Sequence, residues 1–594
     1  SSFPSGGLRS TFEARGYTAW DCTSPAFVKK SPDGKRSILY IPTAFCSYTG
    51  EALDQKTPLL RSMEAINKQS IRLLRLFGNT TSQKVTPSVG VEQEYFLVDR
   101  EKYLKRKDLV FTGRTLFGAN PPKGQELDDH YFGAIRERIA AFMTDVNEEL
   151  WKMGVAAKTQ HNEVAPGQHE LAPIYAQCNV AVDHNQLIME TLKKVAYRHN
   201  LQCLLHEKPF EGVNGSGKHN NWSICSNDGQ NLLDPGDTPQ DNLQFLTFLC
   251  AIIKGVHEYA PLLRLSAASA GNDHRLGANE APPAIVSLFI GSELEAVIEA
   301  LENGTKVASI ADKQFEIGVD ALPNFPKDTT DRNRTSPFAF TGNKFEFRML
   351  GSADSISCTN TIINTIVAQE LCEFADELEK SDNFEKDLKE LLVKTIKEHK
   401  AIVFNGNGYA EEWLEEAVNV RKLPNLVSTV DALPEYTRPE FVAMFEKFKV
   451  YTATEINSRT EILLENYSKV INIEALTMLD MAKKLIIPAC IEYNKTVCDA
   501  AASKIAIGLD ANVEKSIASK ISSLNEGIYN AVKVLDEKVI TAQGQEEGLK
   551  MARFYRNEVF AQMQTLRALV DEMEMCISSD IWPLPSYSKL LFSV

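Results

Sequence analysis

Apolar residues recur with two different periods along the chain, and the change from one to the other divides it. In residues 1–50, short apolar runs are separated by Gly, Pro, Ser and aromatic residues. Residues 26–30 and 37–41 read there as strands joined by the turn Pro32-Asp33-Gly34. Over 58–77, Leu59, Leu60, Met63, Ile66, Ile71 and Leu74 fall at helical spacing and Gly78 closes the run, which predicts one helix. Residues 89–99 alternate instead. That strand places Glu92 and Glu94 on one face and Val91, Gln93 and Tyr95 on the other. Longer helices are predicted over 128–154, 183–205 and 243–265, and residues 345–349 alternate again, with Glu346 and Arg348 sharing a face.

From about Thr361 the text turns rich in Leu, Glu, Lys and Ala, with helical runs over 384–403, 438–468, 474–507 and 545–575. No close repeat or sustained heptad appears, and Trp582-Pro583-Leu584-Pro585 reads as an extended apolar tail that docks. The divisions expected are 1–80, 81–375 and 376–594.

The net charge of −15 argues against a non-specific nucleic-acid binder or a protein held on anionic lipid, and favours small polar partners. Eleven cysteines without a C-x-x-C pair suggest neither a disulfide framework nor a zinc knuckle, so a reducing cytoplasm is expected. No apolar window long enough to span a bilayer occurs. The chain begins at Ser1 without a methionine, which reads as a fragment or processed product.

Candidate chemistry begins with Glu92 and Glu94, because adjacent carboxylates repel unless they are solvated or neutralised by cations. A second pair, Glu163 and Glu170, flanks Pro166-Gly167, which turns the chain and brings the two close. Gly212, Gly217 and Lys218 fit the spacing of a phosphate loop, but His219 stands where that loop needs a Ser or Thr. Rather than a phosphate loop, the stretch reads as a glycine-rich turn that presents Asn214 as a polar contact and His219 as a metal ligand; read alone, it is more readily a tight turn with a hydrogen-bonded histidine. Residues 269–283, holding Arg275 and Glu280, suit an active-site flap or an ordinary surface loop. Together Glu92, Glu94, Glu163, Glu170, His219 and Glu346 could hold two or more hard divalent cations, with Arg275, Arg334, Lys344 and Arg348 neutralising anions beside them.

In order along the chain, Glu92-x-Glu94, the run 163–170, the run 214–219, the run 272–280, Arg332-x-Arg334 and the run 345–348 resemble the motifs of glutamine synthetases, in particular the long type III class. The helical end of the chain, with its Trp-Pro-Leu-Pro, is similar to the type III extension. The resemblance implies an α+β catalytic domain, a curved antiparallel sheet with flanking helices, followed by a large all-helical region. It assigns Glu94, Glu163 and Glu170 to one Mg²⁺ or Mn²⁺ ion and Glu92, His219 and Glu346 to another. Asn214, Gly215 and Arg275 would hold glutamate, Arg348 its γ-carboxylate, and Ser223, Arg334 and Lys344 the ATP. Glu280 would close over the acyl phosphate and help remove a proton. The implied reaction is ATP-dependent amidation of glutamate by ammonia through γ-glutamyl phosphate, in a homo-oligomer built as a double hexameric ring. A glutamate–polyamine ligase and a catalytically silent ring protein are the alternatives.

The sequence departs from other types where Thr335-Ser-Pro-Phe-Ala339 lacks a second arginine, a role Arg332 or Lys344 would take, and where Arg275 and Glu280 stand one residue closer. Ser1-Ser2 are similar to the end of an Asp-x-Ser-Ser run whose aspartate takes a proton from ammonium. That aspartate and most of an N-terminal β-grasp domain would lie upstream, so the chain as written is expected to bind nucleotide and metal yet make glutamine poorly.

Overall fold

The structure, a computed structural model, describes residues 16–31, 33–277, 281–305, 314–315, 325–326 and 334–594. Strands β1 (Gly16–Trp20), β2 (Phe27–Lys30), β3 (Ser37–Tyr40) and β4 (Thr43–Ser47) form two ladders, β1 with β4 and β2 with β3, the latter being the expected hairpin. The main sheet gathers β5 (Val85–Asp99), β6 (Ala157–Asn162), β7 (Gln168–Pro173), β8 (Ala176–Gln177), β9 (Leu201–Leu204), β10 (Gly217–Ser226) and β11 (Leu288–Phe289). After the small ladder of β12 (Gln314–Phe315) with β13 (Phe325–Pro326), β14 (Phe338–Phe340) and β15 (Phe345–Gly351) complete it. Its order is β11-β14-β15-β10-β5-β7-β6, with β8 and β9 also on β5, and every pair but β11–β14 is antiparallel.

β5 is the axis of this sheet, and its burial alternates as the sequence predicts. Val85, Val89, Val91, Gln93 and Tyr95 point into the core, while Ser88, Gly90, Glu92 and Glu94 are only partly covered. The helix Lys56–Leu76 packs against β5; Leu59, Ile66 and Leu74 of the stripe read from its spacing are buried, together with Leu73, while Leu60, Met63 and Ile71 are only partly covered.

Three predicted helices differ from the observed ones, each for a local reason. The helix over 128–154 begins only at Glu137, because Gly133 and the left-handed Asp128 (φ 50°) break the first turns and His130 is captured by the Glu163 carbonyl 2.7 Å away. The helix over 183–205 runs instead from Cys178 to Arg198, and left-handed Asn200 turns the chain into β9. The helix over 243–265 is two, Leu243–Glu258 and Ala260–Ser266, bent by 78° ahead of Pro261, which has no N–H to continue the ladder. Both are buried, and no single described helix is long and apolar enough to cross a membrane.

The region after residue 376 is helical, as expected, though its breaks fall elsewhere. Left-handed Lys449 ends Pro439–Lys447, and Thr452 with Glu455 forms a capping box that starts Ala453–Met481, which runs through the gap expected at 468–474. This region is fastened to the sheet domain by buried charge. Glu455 accepts the Ala52 amide at 2.6 Å and faces Arg61, while Arg459 donates to the Ala52 and Asp54 carbonyls. Arg114 grips Glu474 through two bonds of 2.7 and 2.6 Å, both side chains 5 % exposed or less. Removing one partner strands the other charge. Glu474→Gln is expected to cost about 3–5 kcal/mol and to lower the midpoint of thermal unfolding seen by circular dichroism. The tail docks as predicted: Trp582 and Leu584 are buried, and the helix Tyr587–Leu591 packs on Phe96, Val98 and Phe210.

Candidate active site

Strand register assembles the carboxylates. Glu94 of β5 lies opposite Glu170 of β7, which lies opposite His161 of β6. One pleat away Glu92 lies opposite His219 of β10, and Glu346 of β15 pairs with Asn221. The β10–β15 ladder shifts between Lys218 and Asn220, a bulge that re-aims His219. All these groups fall on one face because the side-chain period of a strand is two.

Two clusters result. In the first, His219 Nδ1 stands 2.8 Å from a Glu92 oxygen and 2.9 Å from a Glu346 oxygen; Asn221 donates to Glu92 at 3.0 Å and Arg348 to Glu346 at 3.1 Å. In the second, His161 Nε2 is 3.0 Å from Glu170 and Nδ1 is 3.5 Å from Glu163. Within each triad the ligand atoms lie within 4.8 Å of one another. Glu94 is not among them; its carboxylate accepts the Gly217 amide at 2.5 Å, directly across the ladder from Glu170.

Charge balance follows from this packing. Burial alone would lower the His219 pKa, but the Glu346 and Glu92 carboxylates override it and hold the imidazole well above its usual range. Glu346 is buried too, yet His219 and Arg348 keep it ionised and well below the carboxylate range. Glu170 goes the other way, raised by burial and by Glu92 and Glu94. His161, bonded to Glu170, is raised to about 9. Such a face is short of positive charge, and oxygen and imidazole donors in two triads fit hard divalent cations.

The clusters line a cavity of about 630 Å³ that also takes in Ser223, Arg334, Lys344 and Arg348. Ser223 Oγ is committed to Asn231 and to the Asn343 carbonyl, while Arg334 is exposed at the rim. Asn214, Gly215 and Arg275 do not line it. Arg275 is 4 % exposed and lies behind Gly217, its guanidinium donating to the Arg348 and Leu350 carbonyls at 3.3 and 3.2 Å. A Cβ on Gly217 would stand 2.1 Å from that guanidinium, so glycine is required there by close approach. Gly217→Ala is therefore expected to displace Arg275 and, on the role that the resemblance implies for Arg275, to raise the half-saturating glutamate concentration about 10-fold or more in steady-state kinetics. Asn214 exchanges two bonds with Gln125, 2.7 and 2.9 Å long. Lys218 is wholly buried, bonded to Asn185 and the Asp354 carbonyl, which disposes of the phosphate-loop spacing. Glu280 and Arg332, like Ser1 and Ser2, lie outside the described residues.

His161, Tyr131 and Asn221 line the cavity without having been singled out in the sequence. Two-residue spacing from Glu163 could have found His161. Tyr131 was hidden inside the predicted helix, where a loop stands instead.

Residues 1–62 match the family model described as glutamine synthetase type III N terminal, 72–287 that of the glutamine synthetase catalytic domain, and 387–504 that of the glutamine synthetase C-terminal domain. The chain is 46 % identical over its full length to the type-3 glutamine synthetase of Dictyostelium discoideum, of which the match covers 81 %. It is 48 % identical to the glutamine synthetase of Butyrivibrio fibrisolvens, over 98 % of this chain and 82 % of that one. Its fold is similar to the glutamine synthetase of Plasmodium falciparum (TM-score 0.51, 14 % identity, 79 % of this chain and 86 % of the other). On these grounds the chain belongs to the glutamine synthetase family, in its type III class, and is a glutamate–ammonia ligase.

Proposed function

We propose that the cavity binds ATP at the end bounded by Ser223, Arg334 and Lys344 and glutamate at the end lined by Glu94, Glu163 and Glu170, backed by the Asn214 and Arg275 loops behind the wall, with the γ-carboxylate delivered to Arg348. The observation that carries this reading is the placement of Arg348 beside Glu346: a fixed cation of the first cluster lines the same cavity as both carboxylate clusters. The family generally uses ATP and divalent metals, and here Glu92, His219 and Glu346 would hold one cation, with Glu163 and Glu170 supported by Glu94 and His161 holding another; Mg²⁺ and Mn²⁺ suit these donors equally. Cations held by these residues would supply charge to neutralise phosphate oxygens and polarise the transferring phosphoryl group. Arg348 neutralises the γ-carboxylate as it attacks the γ-phosphorus, and Arg334 steadies the charge gathering on the leaving phosphates. Ammonia then displaces phosphate from the γ-glutamyl phosphate, with Glu280 assigned to proton removal and to closing out water.

The Tyr17, Trp20, Ile38 and Leu39 side chains exposed on β1 and β3, with Tyr48 just past β4, support assembly into a homo-oligomeric ring with these ladders at subunit contacts. Glutamine formation from glutamate, ATP and ammonium tests the reading. Ammonium is expected to serve as acceptor and putrescine or spermidine to fail; the reverse preference sinks it in favour of a glutamate–polyamine ligase.

A further inference from the structure

The helical region beyond residue 376 contributes no residue to the cavity wall. Four of its residues nevertheless reach the two loops assigned to glutamate. Thr429 donates its amide to both Asp273 oxygens, at 3.0 and 2.9 Å, and its hydroxyl at 2.8 Å. Asp273 sits in the one-turn helix Asn272–His274, two residues before Arg275, and is buried there against Arg264. On the far side of the same loop, Tyr409 donates its hydroxyl to the Ala281 carbonyl at 2.9 Å, next to the backbone bond from Gly277 to Pro282 that closes the loop base. The His274 ring meets Phe560 of the helical region with centroids 5.2 Å apart. The second loop is held from below. Tyr587 Oη accepts the Glu211 amide at 3.1 Å, three residues before Asn214, and is itself fixed by Thr115 at 2.6 Å and Arg567 at 2.8 Å.

These contacts share a direction: each ties a residue of the helical region to a backbone or side-chain group of a loop that carries a residue assigned to glutamate, at a point on that loop away from the cavity. We propose that the helical region braces the glutamate loops, and that Thr429, Tyr409 and Tyr587 are positioning residues that set glutamate affinity from outside the cavity. The inference rests on the assignment of Asn214 and Arg275 to glutamate. A side chain displaced by an ångström loses much of its contribution to binding and orientation, so supports of this kind act on affinity before they act on folding. Ser223 itself bonds to Asn231 and Asn343 within the sheet domain, and the helical region meets the nucleotide end through a backbone donor, the Gly408 amide on Thr335 Oγ1 at 2.8 Å, beside Arg334. The Thr429, Tyr409 and Tyr587 hydroxyls therefore act on glutamate, while that backbone bond stays in place when they are removed.

The test uses the full chain with Thr429→Val, Tyr409→Phe and Tyr587→Phe, singly and together, and Arg275→Lys as the reference. Each brace variant removes one hydroxyl and keeps its volume. The KM for glutamate is expected to rise about fivefold per lost hydrogen bond with the KM for ATP nearly unchanged, and Thr429→Ser, which keeps the hydroxyl, is expected to hold the wild-type value. Tyr587→Phe, which also strands the buried Arg567 guanidinium, is expected to lower the thermal midpoint, whereas the exposed Tyr409→Phe leaves it nearly unchanged. If the KM values for glutamate and ATP rise together, or the glutamate KM does not move, the brace is overturned. Arg275→Lys separates the two claims: an unchanged glutamate KM in that variant overturns the glutamate assignment, whereas a raised KM there with unmoved brace variants overturns the brace alone.

Discussion

His219→Ala is expected to lower metal-dependent glutamine formation about 100- to 1,000-fold, and to weaken Mg²⁺-dependent nucleotide binding measured by calorimetry. The size follows from position. His219 is the one imidazole between Glu92 and Glu346, at 2.8 and 2.9 Å, and both carboxylates remain ionised because of it. Its removal has two consequences that pull in opposite directions. A ligand is lost, while two like charges are left facing each other without their neutralising partner, which strengthens the demand for a cation. The variant should therefore gain more thermal stability from added Mg²⁺ than the wild type does, relative to EDTA, even as its activity falls. Equal gains would mean that the triad does not hold the metal.

Arg348→Ala is expected to reduce kcat about 100- to 1,000-fold with a smaller effect on the KM for ATP. Arg348 is buried at 3 % exposure and donates to Glu346 at 3.1 Å, so its guanidinium is fixed before substrate arrives. A preorganised cation aimed at developing charge acts on the transition state more than on the bound substrate. Arg348→Lys restores charge without the planar fork and should recover only part of the rate. A variant whose KM for glutamate rises while kcat stays put would place Arg348 in substrate binding alone.

Much of the site was legible because strands obey a simple rule. Once Glu92 and Glu94 are read on one face of an alternating strand, any neighbour in antiparallel register must present its own face to them, and Glu170, His219 and Glu346 do so. The bulge at Lys218–Asn220 was not legible, since it depends on pairing with β15, 130 or so residues away along the chain. Loops were harder still. Periodicity alone carried the helix at 137–152 back into the 128–136 segment, because Gly133 and His130 are recruited by tertiary contacts that no local pattern encodes. The break at Tyr259 was missed although Pro261 signals it. Arg275 illustrates a different limit: the family resemblance names the residue, but its place behind Gly217, outside the cavity wall, comes from packing.

The bond from Glu455 to the Ala52 amide joins positions 403 residues apart. During synthesis at about 5–20 residues per second, the β4 edge and the face of the Lys56–Leu76 helix wait about 20–80 s for the segment that covers them. Throughout that time apolar surface and unpaired strand edge are open to other nascent chains. The late-arriving helices thus set the interval over which this protein depends on chaperones, and slowing translation ahead of residue 455 should lower the soluble yield of cells at high temperature more than slowing it afterwards.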